Sequence, residues 1–503
     1  MKIGQYILSL DQGTTSSRAV LFDALGGIAG MGQREFTQIY PQPGYVEHDA
    51  VEILQTQLYA MRQAVHEAEI TAEDIAAISI TNQRETTVAW DSETGIPICN
   101  AIVWQCRRTA PECERLIAEG LEEYIHKTTG LIIDPYFSGT KMKWILDNVP
   151  KAKVLAKEHR LRFGTIDTWL IYSLTEGESY VTDVTNASRT MLFDIQKLDW
   201  DEKMLNVFGI PRDALPKVVD SSGVVGMCSE TILGRKIPIA GIAGDQHAAL
   251  FGQCCFDKGM AKNTYGTGCF VLMNTGDKPV FSDRGLITTI GWCVNGETTY
   301  ALEGSAFNAG SAIKWLRDEL KLIANPQEAD LLAETVEDAG GAVFVPAFTG
   351  LGAPYWDMYA RGTIVGLTRG VNRAHFCRAV LESICFQMTD LLRAMTKDSN
   401  IILSELRVDG GASVSNIMMQ IQADLIRTVV NRPKTVETTA LGAAYLAGLC
   451  VGMWKTPEEI EKNREVEKVF IPKMDKKVRD KLCEDWKRAV ERSRNWAQED
   501  DFD

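Results

Sequence analysis

A chain of 503 residues with 45% hydrophobic composition exceeds one average domain and is long enough to bury two cores. Its 53 basic and 67 acidic residues leave a formal charge of -14, and no basic run is long enough to make a phosphate-backbone or lipid-headgroup patch. Nucleic acid and membrane surfaces are therefore excluded as partners, whereas a compact anion still binds where backbone N–H groups and a divalent cation supply positive field.

The opening segment MKIGQYILSLDQGT reaches a charge before any long apolar stretch and has no small-residue cleavage pattern, so it does not read as a signal peptide. The 12 cysteines are scattered, which fits free thiols in a reducing cytoplasm better than a disulfide framework. Cys99, Cys106 and Cys113 repeat every seventh residue, but no histidine or second cysteine pair completes a zinc spacing.

Residues 6–10 form a short apolar run ended by Asp11 and the polar loop 13–17, and the apolar AVLF follows: a β-hairpin with a donor-rich turn. Residues 51–68 place apolar side chains at helical spacing, and IAAISI (75–80) reads as the next strand. Strand and helix patterns alternate to about residue 250, with a further helix around 137–146, which is α/β grammar. From Ile237 the theme returns. IPIAGIAGDQ is a strand stopping at a glycine-flanked aspartate, and AKNTYGTGCFVLMN repeats the apolar run, Gly/Thr turn and apolar run of the opening hairpin. This points to an internal duplication, with a division at 1–252 and 253–503. RVDGGASVSN (407–416) is a third small-residue loop before a helical pattern, 440–454 reads as a buried helix, and the Lys/Glu-rich tail from about Pro457 reads as surface helix.

Three small-residue loops after apolar strands supply donors and close backbone approach from two sides, as one nucleotide held between two domains requires. In DQGTTSSR, Gly13 permits a tight turn, the hydroxyls of Thr14, Thr15, Ser16 and Ser17 supplement N–H groups, Arg18 can donate to phosphate, and Asp11 stands where a strand delivers it to a cation. The loop lacks the GxxxxGK[ST] pattern and the chain lacks the HRD and DFG set; the alternative is an ordinary polar turn. Asp245 follows a strand and a glycine and is the candidate general base, the alternative being a helix cap. Arg84 and Glu85, after IAAISI, offer a donor fork and an acceptor pair for neighbouring hydroxyls, or else form a charged turn. Trp104 and Phe270 could cover a CH face or belong to the core. The histidines form no ligand set, and no GxSxG elbow serves a hydrolase.

LDQGTTSSRAV, ITNQRETT, AIVWQCRRTA, TGLIIDPYFSGTK, TNASRTMLF, GIAGDQ, KNTYGTGCF, FTGLGAPYWD, GLTRG and RVDGG together resemble the FGGY carbohydrate kinase family, with ITNQRET, WQCRR and APYWD pointing to its glycerol-using members. The resemblance implies an α/β fold of two ribonuclease-H-like (actin/hexokinase-like ATPase) domains with ATP and Mg²⁺ in the cleft between them. It implies Asp245 as base, with Arg84, Glu85, Tyr136, Asp245 and Gln246 on glycerol and Trp104 and Phe270 over its carbon edge. Asp11 would position Mg²⁺. Thr14, Thr15, Ser16, Arg18, Thr267 and Gly310 would surround the phosphates, with Gly411, Lys314 and Ser415 nearer the adenosine. Lys314 stands where relatives carry glutamine and Ser415 where they carry asparagine. The resemblance further implies sn-glycerol 3-phosphate as product and a homodimer or homotetramer. A kinase for another polyol or ketose, and a non-catalytic ATP-gated actin-like module, are the competing readings.

Overall fold

The computed structural model describes residues 5–497 apart from residue 436; the first four residues of the opening segment lie outside it. Its frame is a sheet of thirteen strands. In the first half, Tyr6–Gln12 and Ser16–Phe22 form the expected hairpin, and Ile28–Glu35 adds a third antiparallel strand outside it. On the other side Tyr6–Gln12 lies parallel to Ile75–Asn82, which lies parallel to Ile237–Gly244. Their apolar runs are nearly continuous because both faces are covered: Ile7, Leu8 and Leu10 are wholly buried. Helix Ala50–Glu67 begins where the Asp49 carboxylate accepts the Val51 and Glu52 N–H groups, and it turns Ile53, Ala60, Met61 and Ala64 inward.

The second half repeats this order. Met260–Tyr265 pairs antiparallel with Cys269–Gly276, which pairs with Glu297–Ala306, while its other edge lies parallel to Glu405–Asp409 and then Val430–Pro433. Each half is therefore a hairpin with a third antiparallel strand on one side and two parallel strands on the other, the ribonuclease-H-like arrangement of the actin and hexokinase ATPases. The halves join within the sheet at one pairing, Ser222 with Val294.

The apolar window 440–454 is buried helix, Thr438–Val451, and it crosses between the halves: it comes from the second but packs on the Ile237–Gly244 and Ile75–Asn82 strands of the first and on helix Asp245–Gly252. Glycines allow that crossing. A Cβ at Gly442 would lie 1.8 Å from the Ala248 carbonyl oxygen, and one at Gly252 would lie 2.0 Å from that of Thr438. Among the described residues no helix is long and apolar enough to cross a membrane, and the twelve cysteines are all free.

The tail differs from the helix expected of it. After helix Pro457–Lys462, the strand Val466–Phe470 pairs with Val430–Pro433 at the sheet edge before helix Lys476–Ser493 begins. Only Phe470 of that strand is buried, and Val466, Glu467, Lys468 and Val469 are exposed, so its sequence shows no period of two. The last helix is also more than a surface element, since Trp486 is buried and stacks on Phe386 with ring centres 5.2 Å apart.

Because the two crossing helices touch backbone to backbone, Gly442→Ala is expected to destabilise the protein by about 2 kcal/mol or more through overpacking. Urea denaturation of the variant measures this, and an unchanged midpoint would mean that the helices part at no cost.

Candidate functional site

The Asp11–Arg18 turn closes on itself through the Gly13 N–H and the Ser16 carbonyl at 3.0 Å. Its groups are held from outside: the Trp104 indole N–H donates to the Thr14 hydroxyl at 3.0 Å, Gln33 donates to the Ser16 hydroxyl at 3.0 Å, and the Phe36 N–H reaches the Thr15 carbonyl at 3.3 Å. Arg18 pairs with Glu437, at the start of the crossing helix, so this turn is tied to the second half. Asp11 is partly buried at the end of its strand. Burial pushes its carboxyl up to about 6, with Arg18 opposing and Glu437 and Asp245 adding to the rise. A carboxyl short of positive charge fits a hard divalent cation. Among the described residues no cluster of three or more His, Cys, Asp or Glu side chains is arranged to enclose a metal. A cation at Asp11 would therefore draw its other oxygens from phosphate and water, as Mg²⁺ does in nucleotide sites.

Asp245 opens helix Asp245–Gly252, and Gly244 occupies the cap position. The carboxylate accepts the Gln246 N–H at 2.6 Å and keeps about a third of its side chain exposed, so it is free to meet a substrate. His247 points elsewhere, its Nε2 lying 3.1 Å from the Thr289 hydroxyl, and burial holds its ring neutral. Arg84 lies beside Asp245, with Nε 3.2 Å from Oδ1, and its Nη2 donates to the Tyr136 hydroxyl at 3.3 Å. Trp104 packs edge-on against Tyr136 at 5.5 Å. The structure thus brings Arg84, Asp245, Tyr136, Trp104 and Thr14 into one cluster. Phe270 stands partly buried on Cys269–Gly276, opposite Thr264 and Ser305.

Beneath the cluster lies a buried charge network. Arg84 forks onto Glu303 at 2.6 and 2.9 Å, while Arg189 donates to Glu85 at 2.6 Å and to Glu303 at 3.2 Å. All four side chains are at most 3% exposed. Burial acts to raise the Glu303 carboxyl, but Arg189 and Arg84 outweigh it and hold the group well below the usual carboxylate range. For Glu85 burial prevails and pushes its carboxyl up. Lys262, also buried, donates to the Gln246 side-chain oxygen, so that residue is oriented from the second half. Lys141, wholly buried, donates to the carbonyls of Pro135, Tyr136 and Phe137 at 2.6, 2.6 and 3.0 Å and fixes the turn that carries Tyr136. Sequence reasoning missed Glu303, Arg189 and Lys262 as parts of the site; a lone charge within an apolar strand was the available signal for Glu303 and Lys262.

Thr267, Gly310, Lys314, Gly411 and Ser415 line one cavity of about 350 Å³, together with Tyr265, Ile313, Arg317 and Asp330. Gly310 opens helix Gly310–Asp318, and a Cβ there would lie 2.6 Å from the Gly266 carbonyl oxygen, so glycine lets the Gly/Thr loop seat on the helix start. Ser415 caps helix Asn416–Ile426, and its hydroxyl donates to Asp330 at 2.7 Å. Lys314 stands on the wall of this cavity, which is sized for a nucleotide, whereas Arg317 donates to Asp318 at 2.6 Å and Asp330 adds a carboxylate to the lining.

Two halves of ribonuclease-H-like order, a cavity with small-residue loops and a carboxylate at a strand end define a phosphotransferase of the sugar-kinase type. Residues 6–252 match the N-terminal domain and residues 261–450 the C-terminal domain of the FGGY family of carbohydrate kinases, and the chain belongs to that family. It is 58% identical to a glycerol kinase of Thermoanaerobacter sp. (strain X514) over 99% of this chain and 100% of that one. The identity is also 58% to glycerol kinase 2 of Thermotoga maritima, over 98% and 99% of the two chains. The structure superposes on Plasmodium falciparum glycerol kinase with ADP at a TM-score of 0.93, with 41% identity and 97% and 98% coverage. A xylulose kinase from Lactobacillus acidophilus shares the fold at a TM-score of 0.85 and 24% identity, over 97% and 96% of the chains.

The raised Asp11 carboxyl makes a pH-dependent prediction. The folded group titrates near 6 and the unfolded one near 3.8, so the native state binds more protons between these values. Stability of the ligand-free protein therefore falls as pH rises through that window, and the penalty is fully present above it. Asp11→Asn removes the penalty and is expected to stabilise the ligand-free protein at pH 8 by on the order of 2 kcal/mol, with no gain below pH 4. Thermal melts at both pH values check it.

Proposed function

We propose that this protein transfers the γ-phosphoryl group of ATP to the terminal hydroxyl of glycerol, giving sn-glycerol 3-phosphate and ADP. The carrying observation is the cluster of Arg84, Tyr136, Trp104 and Asp245, which offers a guanidinium edge, a phenol, an aromatic face and a partly exposed carboxylate within one small site. Relatives covering the whole chain are glycerol kinases, which supports that acceptor over a ketose.

Arg84, Tyr136, Gln246 and Glu85 hold the hydroxyls, Glu85 through the lone pairs its bond from Arg189 leaves, and Trp104 with Phe270 covers the carbon edge. As the terminal oxygen bonds to the γ-phosphorus, its proton passes to the Asp245 carboxylate. The bond from phosphorus to the β-bridging oxygen breaks, and its electron pair leaves with ADP. Thr14, Thr15, Ser16, Arg18, Thr267 and Gly310 surround the phosphates, while Gly411, Lys314 and Ser415 lie toward the adenosine. Asp11 would hold Mg²⁺, which when bound offsets charge on the transferring group. We place the division between the halves at 252/253, supported by family matches on residues 6–252 and 261–450; residues 1–4 and 498–503 of that division lie outside the described residues. Cytoplasmic action and a homodimeric or homotetrameric state rest on the family resemblance, and light scattering of the purified protein distinguishes the two assemblies.

The test is ADP release with Mg-ATP and glycerol, dihydroxyacetone, xylulose, ribulose, erythritol or no acceptor. Rapid turnover with glycerol alone is expected; a ketose that wins refutes the acceptor, and equal slow release in every sample refutes the kinase. Asp245→Asn is expected to lower kcat by about a hundredfold or more while leaving glycerol binding largely intact, because the transition state loses its proton acceptor. Stopped turnover assays with calorimetric glycerol titration check this, and a near-parental kcat removes the base role.

A further inference from the structure

The guanidinium of Arg84 has two demands on it. Its Nε edge lies 3.2 Å from Asp245, and its two Nη groups fork onto Glu303 at 2.6 and 2.9 Å. Glu303 belongs to strand Glu297–Ala306 of the second half, whereas Arg84, Asp245, Tyr136 and Arg189 all belong to the first. Glu85 is a third carboxylate nearby, its Oε1 3.7 Å from Nε, and a guanidinium beside three carboxylates settles on the one that meets it with bidentate geometry. Here that partner is Glu303, which is 2% exposed and fixed in register between Leu272 on one neighbouring strand and Ile287 on the other. It is further held by Arg189 at 3.2 Å, whose Nε is committed to Glu85 at 2.6 Å.

We infer that Glu303 is a positioning residue of the acceptor site: by occupying both Nη groups of Arg84 it presents the guanidinium edge-on to the acceptor and prevents it from closing as a fork on the Asp245 carboxylate. The acceptor site is consequently assembled across both halves, although the groups that meet the acceptor come mainly from the first. Without Glu303, Arg84 keeps two carboxylate neighbours, Asp245 and Glu85, and because Glu85 is already bonded by Arg189 at 2.6 Å it turns to Asp245. Asp245 then becomes a bidentate partner of arginine and loses the lone pairs that orient and accept the hydroxyl proton. The inference rests on the proposed roles of Arg84 and Asp245, but not on which polyol or ketose is the acceptor.

The experiment is steady-state kinetics of full-length E303Q and E303D, using whichever acceptor the parent enzyme turns over fastest, with Mg-ATP and acceptor varied separately and thermal midpoints recorded. For E303Q, acceptor kcat/KM is expected to fall about a hundredfold or more, with a raised acceptor KM and a lowered kcat, while the ATP KM stays within about twofold. E303D keeps the charge but shortens the reach, so it is expected to show the same pattern at about a tenfold loss. If E303Q does not fold, E303D decides on the same readings. Acceptor kcat/KM within about threefold of the parent overturns the inference, as does a parallel rise of acceptor and ATP KM, which marks a merely structural role. Failure of the parent to use glycerol in the acceptor panel bears on the proposed substrate and leaves this comparison intact.

Discussion

The constraint on which the site depends is the desolvation of four charges, Arg84, Arg189, Glu85 and Glu303, nearly all of whose surface is removed from water. Such a set is tolerable only when its attractions are close and its remaining N–H groups are used, and removal of one member typically costs about 3–5 kcal/mol. The network therefore sets tight conditions on backbone that is distant in sequence. The turn after Ile75–Asn82, the segment carrying Arg189 and the strand Glu297–Ala306 must reach the same place within a few tenths of an ångström. The backbone at Glu85 takes a left-handed conformation, φ 56°, to meet that condition. One Arg189 nitrogen still lacks a partner, a residual cost borne next to the chemistry rather than in the outer core.

Two of the other ties between the halves differ greatly in strength. Helices Asp245–Gly252 and Thr438–Val451 cross with their backbones in contact at Gly252 and Gly442, and close packing of this kind is lost abruptly once the helices separate. The ion pair of Arg18 with Glu437 leaves both side chains about a quarter exposed, so screening by water and salt limits it to roughly 0–1 kcal/mol. Relative movement of the halves is therefore opposed strongly at the crossing and weakly at the Asp11–Arg18 turn. The crossing helix reaches from one to the other, with Glu437 at its start and Gly442 little more than a turn later.

Much of this was legible in the sequence, because the elements concerned are buried and their patterns are local. The two hairpins, the strand at 75–80, the helix over 51–68 and the buried helix over 440–454 each announced themselves by an apolar period bounded by glycine or aspartate. So did Asp245, a charge directly after a glycine at a strand end. Long-range pairing was not legible: nothing near Arg84 indicates that its fork is met by Glu303, some two hundred residues later. The strand Val466–Phe470 was hidden for the opposite reason, since it is stabilised by backbone pairing at an exposed edge and its apolar side chains Val466 and Val469 stay exposed, so they give no buried period. Lys141 shows a third limit. Its segment was recognisable as polar and site-bearing, yet only the fold reveals a buried ammonium group gathering three successive carbonyls under Tyr136.

An excess of negative charge need not conflict with handling phosphate. The cavity carries Lys314 on its wall, and the first turn adds N–H groups and hydroxyls, while Arg317 and Arg18 are shared with Asp318 and Glu437, so donors are local even though the formal total is -14. At Asp11 the balance is reversed: burial and neighbouring Glu437 and Asp245 leave a carboxyl that is costly to ionise. That cost falls only on the ligand-free protein. A divalent cation held at Asp11, as proposed, would supply the missing positive charge, so its binding would recover free energy that folding spent and would couple ligand affinity to stability through this side chain.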